Sequence, residues 1–141
     1  MRATATWQHD QQYDGESPSG HHVVMDGDAA HLGGPSPMEL VLMALCGCTS
    51  VDVVSILRKK REPFTSLTVS AVAERAPDPP QVFTHIHLTY HVGGEVSAKA
   101  MEDAVALSKN KYCSVSKMLE KAAAIDYEIT YAQSDAGASQ A

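Results

Sequence analysis

Ser36-Pro37-Met38-Glu39-Leu40-Val41-Leu42-Met43-Ala44-Leu45-Cys46-Gly47-Cys48-Thr49-Ser50-Val51-Asp52-Val53-Val54-Ser55-Ile56-Leu57 is the stretch on which the fold turns. Its left end carries a full set of helix-start signals: Ser36 as the capping residue, Pro37 at the first helical position, and Glu39 three residues past the cap, the spacing of a capping box. From Leu40 to Leu57 apolar side chains fall in every direction of the helical wheel. Such a helix must be covered on several sides. One sheet covers one side only, so the rest is expected to meet another helix or a second subunit. The basic run Arg58-Lys59-Lys60-Arg61 sits where the helix should end, and cations there complement the last carbonyls.

Strand signals flank this helix. Residues 2–8 and 20–26 alternate in strand fashion on either side of a polar connection, 9–19, and read as a hairpin. Beyond the helix, 66–76 and 82–92 read as two longer strands joined through Pro77-Asp78-Pro79-Pro80-Gln81. In the second of them Val82, Ile86, Leu88, Tyr90 and Val92 share one parity, and His85, His87 and His91 take the other, as expected of a half-buried strand. A helix over about 97–109, a short one beginning at Cys113 and a last strand over about 127–131 complete an α+β order.

A chain of 141 residues, 44% hydrophobic and 20% charged, is expected to form one domain, residues 1–132, followed by a flexible polar tail, 133–141. The net charge of -6 argues against a nucleic-acid partner, because binding phosphates takes clustered cations. No segment is read as a membrane span or a signal peptide, and a cytoplasmic protein with reduced thiols is expected.

The candidate chemistry lies in the cysteines. Cys46 and Cys48 are about 200° apart on the helix and cannot join in a disulfide, so one is expected in the core. Cys48 shares its face with Asp52 and Ser55, which makes it the better reactive thiol. Cys113 begins a helix, with Lys109 and Lys111 before it and Lys117 one turn on, and local electrostatics favour its thiolate. On that ground alone Cys113 would attack and Cys48 resolve. His85 and His87 lie on one strand face at a spacing metals can use, yet two imidazoles with no third ligand read as surface histidines, and no metal or cofactor is expected.

Residues 35–54, with Cys46-Gly47-Cys48 at their centre, resemble the central helix of the OsmC/Ohr (osmotically inducible protein C-like) family. Lys111-Tyr112-Cys113-Ser114-Val115-Ser116 is similar to its second cysteine motif, and with Phe83-Thr84-His85-Ile86 the likeness is nearest its YhfA-like branch and spans 2–131. The resemblance implies an OsmC-like fold, antiparallel sheets packed around a long central helix in an intertwined homodimer. It also implies a thiol peroxidase that reduces organic hydroperoxides, in which Cys48 becomes a sulfenic acid, Cys113 resolves it and a dithiol such as lipoamide restores both. This order reverses the electrostatic one.

Two positions depart from the family pattern. Where the family has a Glu directly after the helix proline, this chain has Met38; Glu39, one residue on, points about 180° away from Cys48 and fits the cap. The family's early Arg is also missing, with Arg2 the one early candidate, so a buried Cys48 is expected to have a raised pKa unless a lysine near Cys113, or His21 or His22, supplies charge. Glu39, Asp52, Arg2 and Lys117 are the candidate supporting residues. The alternative is a non-enzymatic dimer whose cleft binds a small hydrophobic or electrophilic ligand, the cysteines redox-silent or sensing.

Overall fold

The computed structural model describes residues 1–132; the expected tail, 133–141, lies outside the described residues. The element order is β1 (Thr4–His9), β2 (Gln12–Glu16), β3 (His22–Asp26), α1 (Pro37–Lys59), β4 (Phe64–Arg75), β5 (Phe83–Gly94), α2 (Ala98–Leu107), a π-helical turn (Ser108–Tyr112), α3 (Ser114–Leu119) and β6 (Ala124–Tyr131). This is the expected α+β arrangement: two small sheets and one long helix. The chain divides into two compact units, Met1–Met43 and the remainder from Ala44.

The first unit is an antiparallel meander, β1-β2-β3, rather than the two-strand hairpin expected. The missed strand is Gln12-Tyr13-Asp14-Gly15-Glu16, whose polar composition reads as a loop; its ladder to both neighbours, Tyr13 opposite Trp7 and Met25, makes it the central strand. After β3 the chain turns on Asp26, whose carboxylate accepts from the N–H groups of Asp28 and Gly33, each at 2.9 Å. A Cβ on Gly34 would collide with the Val24 carbonyl, so only glycine lets the chain run this close to β3 before the helix. The capping box forms: the Ser36 N–H donates to Glu39 Oε1 at 2.8 Å, and the Glu39 N–H to Ser36 Oγ at 3.1 Å.

The second unit is built on β4-β5-β6. β4 and β5 run antiparallel over long strands, whereas β6 lies parallel to β5, because the chain leaves β5 and returns through α2, the π turn and α3. The sheet is therefore mixed, and antiparallel pairing describes the rest. Ile86, Leu88, Tyr90 and Val92 point inward as their parity requires, at 0–1% exposure. Val82 does not. The register between β4 and β5 slips between Glu74 and Arg75, which leaves Val82 exposed outside the strand and turns Phe83 inward.

Against this face pack Met101, Ala104 and Val105 of α2 and one stripe of α1, Leu45, Thr49, Val53 and Leu57, spaced four apart as a single helix face demands. The α1 helix is thus buried along one line rather than on several sides, and Met43 and Val51 stand 58% and 70% exposed. At 23 residues, it does have the length and apolar composition of a membrane span, which revises the reading that no segment does. Its buried stripe includes a threonine hydrogen-bonded into the fold, the setting of a core helix.

Candidate functional site

Cys48 lies on α1, one residue before the buried Thr49, and the start of α3 comes up against it: Ser114 Oγ is 3.8 Å from Cys48 Sγ. Cys113 is the capping residue of α3. Its sulfur accepts from the Ser116 N–H at 3.4 Å, and it stands near enough to Cys48 for each thiol to influence the other's ionisation. The π turn makes this possible. A wider turn at Ser108–Tyr112 ends in a bond from the Cys113 N–H to the Ser108 carbonyl, 2.8 Å, and releases the chain into extended geometry at Cys113. Such turns inside helices recur at functional sites.

The two thiols sit in unlike surroundings. Burial pushes Cys48 up, but the Val115 N–H, the Cys113 thiol and the Ser114 hydroxyl pull it down, against the Asp52 charge, to a net position below the ordinary thiol value. For Cys113 burial dominates; the Ser116 N–H offsets part of the rise, and the neighbouring Cys48 adds to it. Cys113 is wholly buried and Cys48 partly open. The expectation that local cations favour the Cys113 thiolate is overturned: Lys117 is paired with Glu120 at 2.8 Å, and desolvation outweighs what remains. The expectation of a raised Cys48 pKa fails too, because backbone and hydroxyl donors do the work sought from a cation.

The other predicted residues are accounted for individually. Asp52 is half-buried and accepts from Ser108 Oγ at 2.8 Å. Glu39 is held by the capping box. Arg2 is exposed and borders a cavity with Thr4 and Glu16. His22 pairs with Asp14 at 2.9 Å and His21 bonds Ser19 at 3.0 Å. Neither Cys46 nor Cys48 is a core residue; both flank the buried stripe, and burial raises the Cys46 thiol. Beside Asp52 opens a cavity of about 390 Å³ bordered by Ile56, Lys59, Lys60, Leu107 and Tyr112.

Sequence reading missed Thr49, Tyr90, Ser108 and Ser114. Tyr90 OH is 2.7 Å from Thr49 Oγ1, which is 2.8 Å from Ser108 Oγ. Tyr90 is pushed up to about 12, chiefly by burial. The sequence signal was a hydroxyl on an otherwise apolar strand face, Tyr90, opposite one in an apolar helix, Thr49. On the outer face of the same sheet His85 and His87 both meet Asp126, and His87 also meets Glu128 at 3.0 Å. Among the described residues no group of three or more side chains is placed to hold a metal ion.

A long helix bearing one partly open, donor-supported thiol, set beside a buried thiol at the start of a later helix, defines an α+β protein with two unlike thiols at one place. Comparison with known proteins gives it a family: the model for OsmC-like protein matches residues 27–128, and the chain belongs to that family. It is 45% identical to Protein YhfA of Escherichia coli K12 over 135 residues, 94% of this chain and all of that one. A crystal structure of a hypothetical protein from Aquifex aeolicus is 28% identical, with a TM-score of 0.81, over 94% of this chain and 97% of that one. An organic hydroperoxide resistance protein OsmC from Legionella pneumophila, 14% identical, shares the fold at a TM-score of 0.69 over 92% and 95%.

Proposed function

We propose that this protein is a thiol-dependent peroxidase that reduces organic hydroperoxides, with Cys48 as the attacking and Cys113 as the resolving thiol. The observation that carries the assignment is the unlike setting of the two neighbouring thiols: Cys48 is partly open with the Ser114 hydroxyl 3.8 Å from its sulfur, Cys113 is wholly buried, and their ionisation is displaced downward and upward accordingly. The thiolate is the nucleophile, so at neutral pH the lowered, reachable one attacks. Family membership supports the same chemistry, since a protein of this fold carries the name organic hydroperoxide resistance protein.

In the proposed cycle the Cys48 thiolate attacks the terminal peroxide oxygen. An S–O bond forms, the O–O bond breaks, and the departing alkoxide takes a proton to leave as an alcohol. Cys113 then attacks the Cys48 sulfur; an S–S bond forms, and the hydroxyl leaves as water with the Cys113 proton. A dithiol reductant of the lipoamide kind returns both thiols. The Val115 N–H and Ser114 hydroxyl supply the donors that favour the thiolate, the Asp52 carboxylate opposes them, and Lys117, paired with Glu120, takes no part.

We further propose a homodimer working in the reducing cytoplasm. Along α1 itself, Met43 and Val51 are large exposed apolar side chains, and Gly47 between them has open space where a side chain would stand. An apolar stripe broken by a glycine suits the close approach of a second copy. A monomeric mass by light scattering contradicts it.

The enzymatic reading is tested by incubating the protein with an organic hydroperoxide, blocking thiols and recording intact mass. Wild type is expected to lose two free thiols, Cys113→Ser to trap an oxidised Cys48, and Cys48→Ser to stay reduced. Thiols unchanged in wild type sink the peroxidase and favour the ligand-binding alternative.

A further inference from the structure

The hydroxyl chain behind the thiols has a direction. A carboxylate only accepts, so Ser108 must donate its proton to Asp52 Oδ2 across their 2.8 Å contact. Ser108 Oγ is then left to accept from Thr49 at 2.8 Å, and Thr49 to accept from Tyr90 at 2.7 Å. Three buried hydroxyls, at 0–1% exposure, thus point their protons one way, toward a single carboxylate. No buried polar side-chain atom among the described residues is left without a partner. The far end does not ionise near neutrality, since Tyr90 is held at about 12, so the chain is a line of aligned dipoles rather than a path for proton escape.

Asp52 stands four residues beyond Cys48 on α1, a spacing that makes the two side chains neighbours. Accordingly we propose that Asp52 is a positioning residue for Cys48: the Tyr90–Thr49–Ser108 chain fixes the Asp52 carboxylate in place one helical turn from the sulfur, where it faces the thiol from the side opposite the α3 donors. The groups facing the sulfur divide into two sets. Cys113, Ser114 and the Val115 N–H, from the start of α3, favour the thiolate, and Asp52, from α1, opposes it. Lys59, Lys60 and Tyr112 border the cavity on the far side of Asp52.

The opposition has a chemical use. A thiolate of higher pKa is intrinsically more nucleophilic, so the charge trades the amount of thiolate for the reactivity of each. A smaller resting thiolate population also limits unproductive oxidation. The proposal rests on Cys48 being the reactive thiol, yet it does not require a peroxide substrate.

The test is the pH profile of Cys48 alkylation by iodoacetamide in the full chain, followed residue by residue by mass spectrometry. In Asp52→Asn, whose amide oxygen still accepts from Ser108, the midpoint is expected at lower pH. Labelling at pH 7 should be ~3-fold or more faster, and the plateau at high pH about 2-fold slower. Asp52→Glu, which keeps the charge, should lie closer to wild type. Ser108→Ala should move the midpoint in the Asp52→Asn direction by less. An Asp52→Asn profile that superimposes on wild type, or moves to higher pH, overturns the proposal. Ser108→Ala unmoved, with native circular dichroism, overturns the part given to the chain; should it fail to fold, Asp52→Asn decides alone. Because the probe is an alkylating agent, a protein inert to hydroperoxide would sink the peroxidase reading and leave this one standing.

Discussion

The two faces of the β4-β5-β6 sheet carry polar clusters built from similar atoms and governed by opposite physics. On the inner face Tyr90, Thr49 and Ser108 are sealed from water, every hydroxyl is partnered, and the chain ends on one carboxylate beside a thiol. On the outer face His85, His87, Asp126 and Glu128 form a denser network, but each side chain is more than a third exposed. Screening by water makes the outer network weak, and burial makes each inner bond consequential. The same contrast separates the cysteines: accessible donors lower Cys48, while desolvation raises Cys113.

The largest effect should come from the thiol itself. Cys48→Ser is expected to abolish hydroperoxide consumption, measured as loss of peroxide in the presence of a dithiol, by on the order of 1000-fold, because a serine hydroxyl is not ionised at neutral pH. Residual turnover near the wild-type rate would move the chemistry elsewhere. Next in size is the inner packing that supports the site. Leu88→Ala, at 1% exposure, should cost about 2–5 kcal/mol in denaturant unfolding. Thr49→Val keeps the shape but strands the Tyr90 hydroxyl and leaves Ser108 with Asp52 alone, and about 1–3 kcal/mol is expected by the same measurement. A negligible loss would mean that water reaches the inner chain.

The outer cluster should respond least, and through pH. Glu128 and Asp126 raise His87 above the ordinary imidazole value of 6.5. A raised folded value means that the protonated ring stabilises the fold fully below about pH 6.5 and that this contribution is lost as pH rises through the folded value. Thermal unfolding of wild type should therefore weaken slightly across that window, and His87→Gln should flatten the slope. An unchanged slope would assign the pH response to another group.

Much of this contrast was legible in the residues. The α1 start, the inward parity of Ile86, Leu88, Tyr90 and Val92 and the surface histidines follow from local patterns, and the structure carries them. What was not legible depends on neighbours distant in sequence. β2 is a strand only because β1 and β3 pair with it. Cys113 looked cationic because Lys109, Lys111 and Lys117 are near in sequence, while its burial is a property of the folded core. The donors to Cys48 come from residues 66 and 67 positions downstream, Ser114 and Val115, through a π turn that no periodicity announces.

The claim at the centre of this account is that Cys48 ionises before Cys113. Residue-resolved alkylation of the unmodified protein as a function of pH measures it directly. The account predicts that Cys48 is labelled with a midpoint at lower pH than a free thiol and Cys113 only at higher pH; a Cys113 midpoint below that of Cys48 would contradict it.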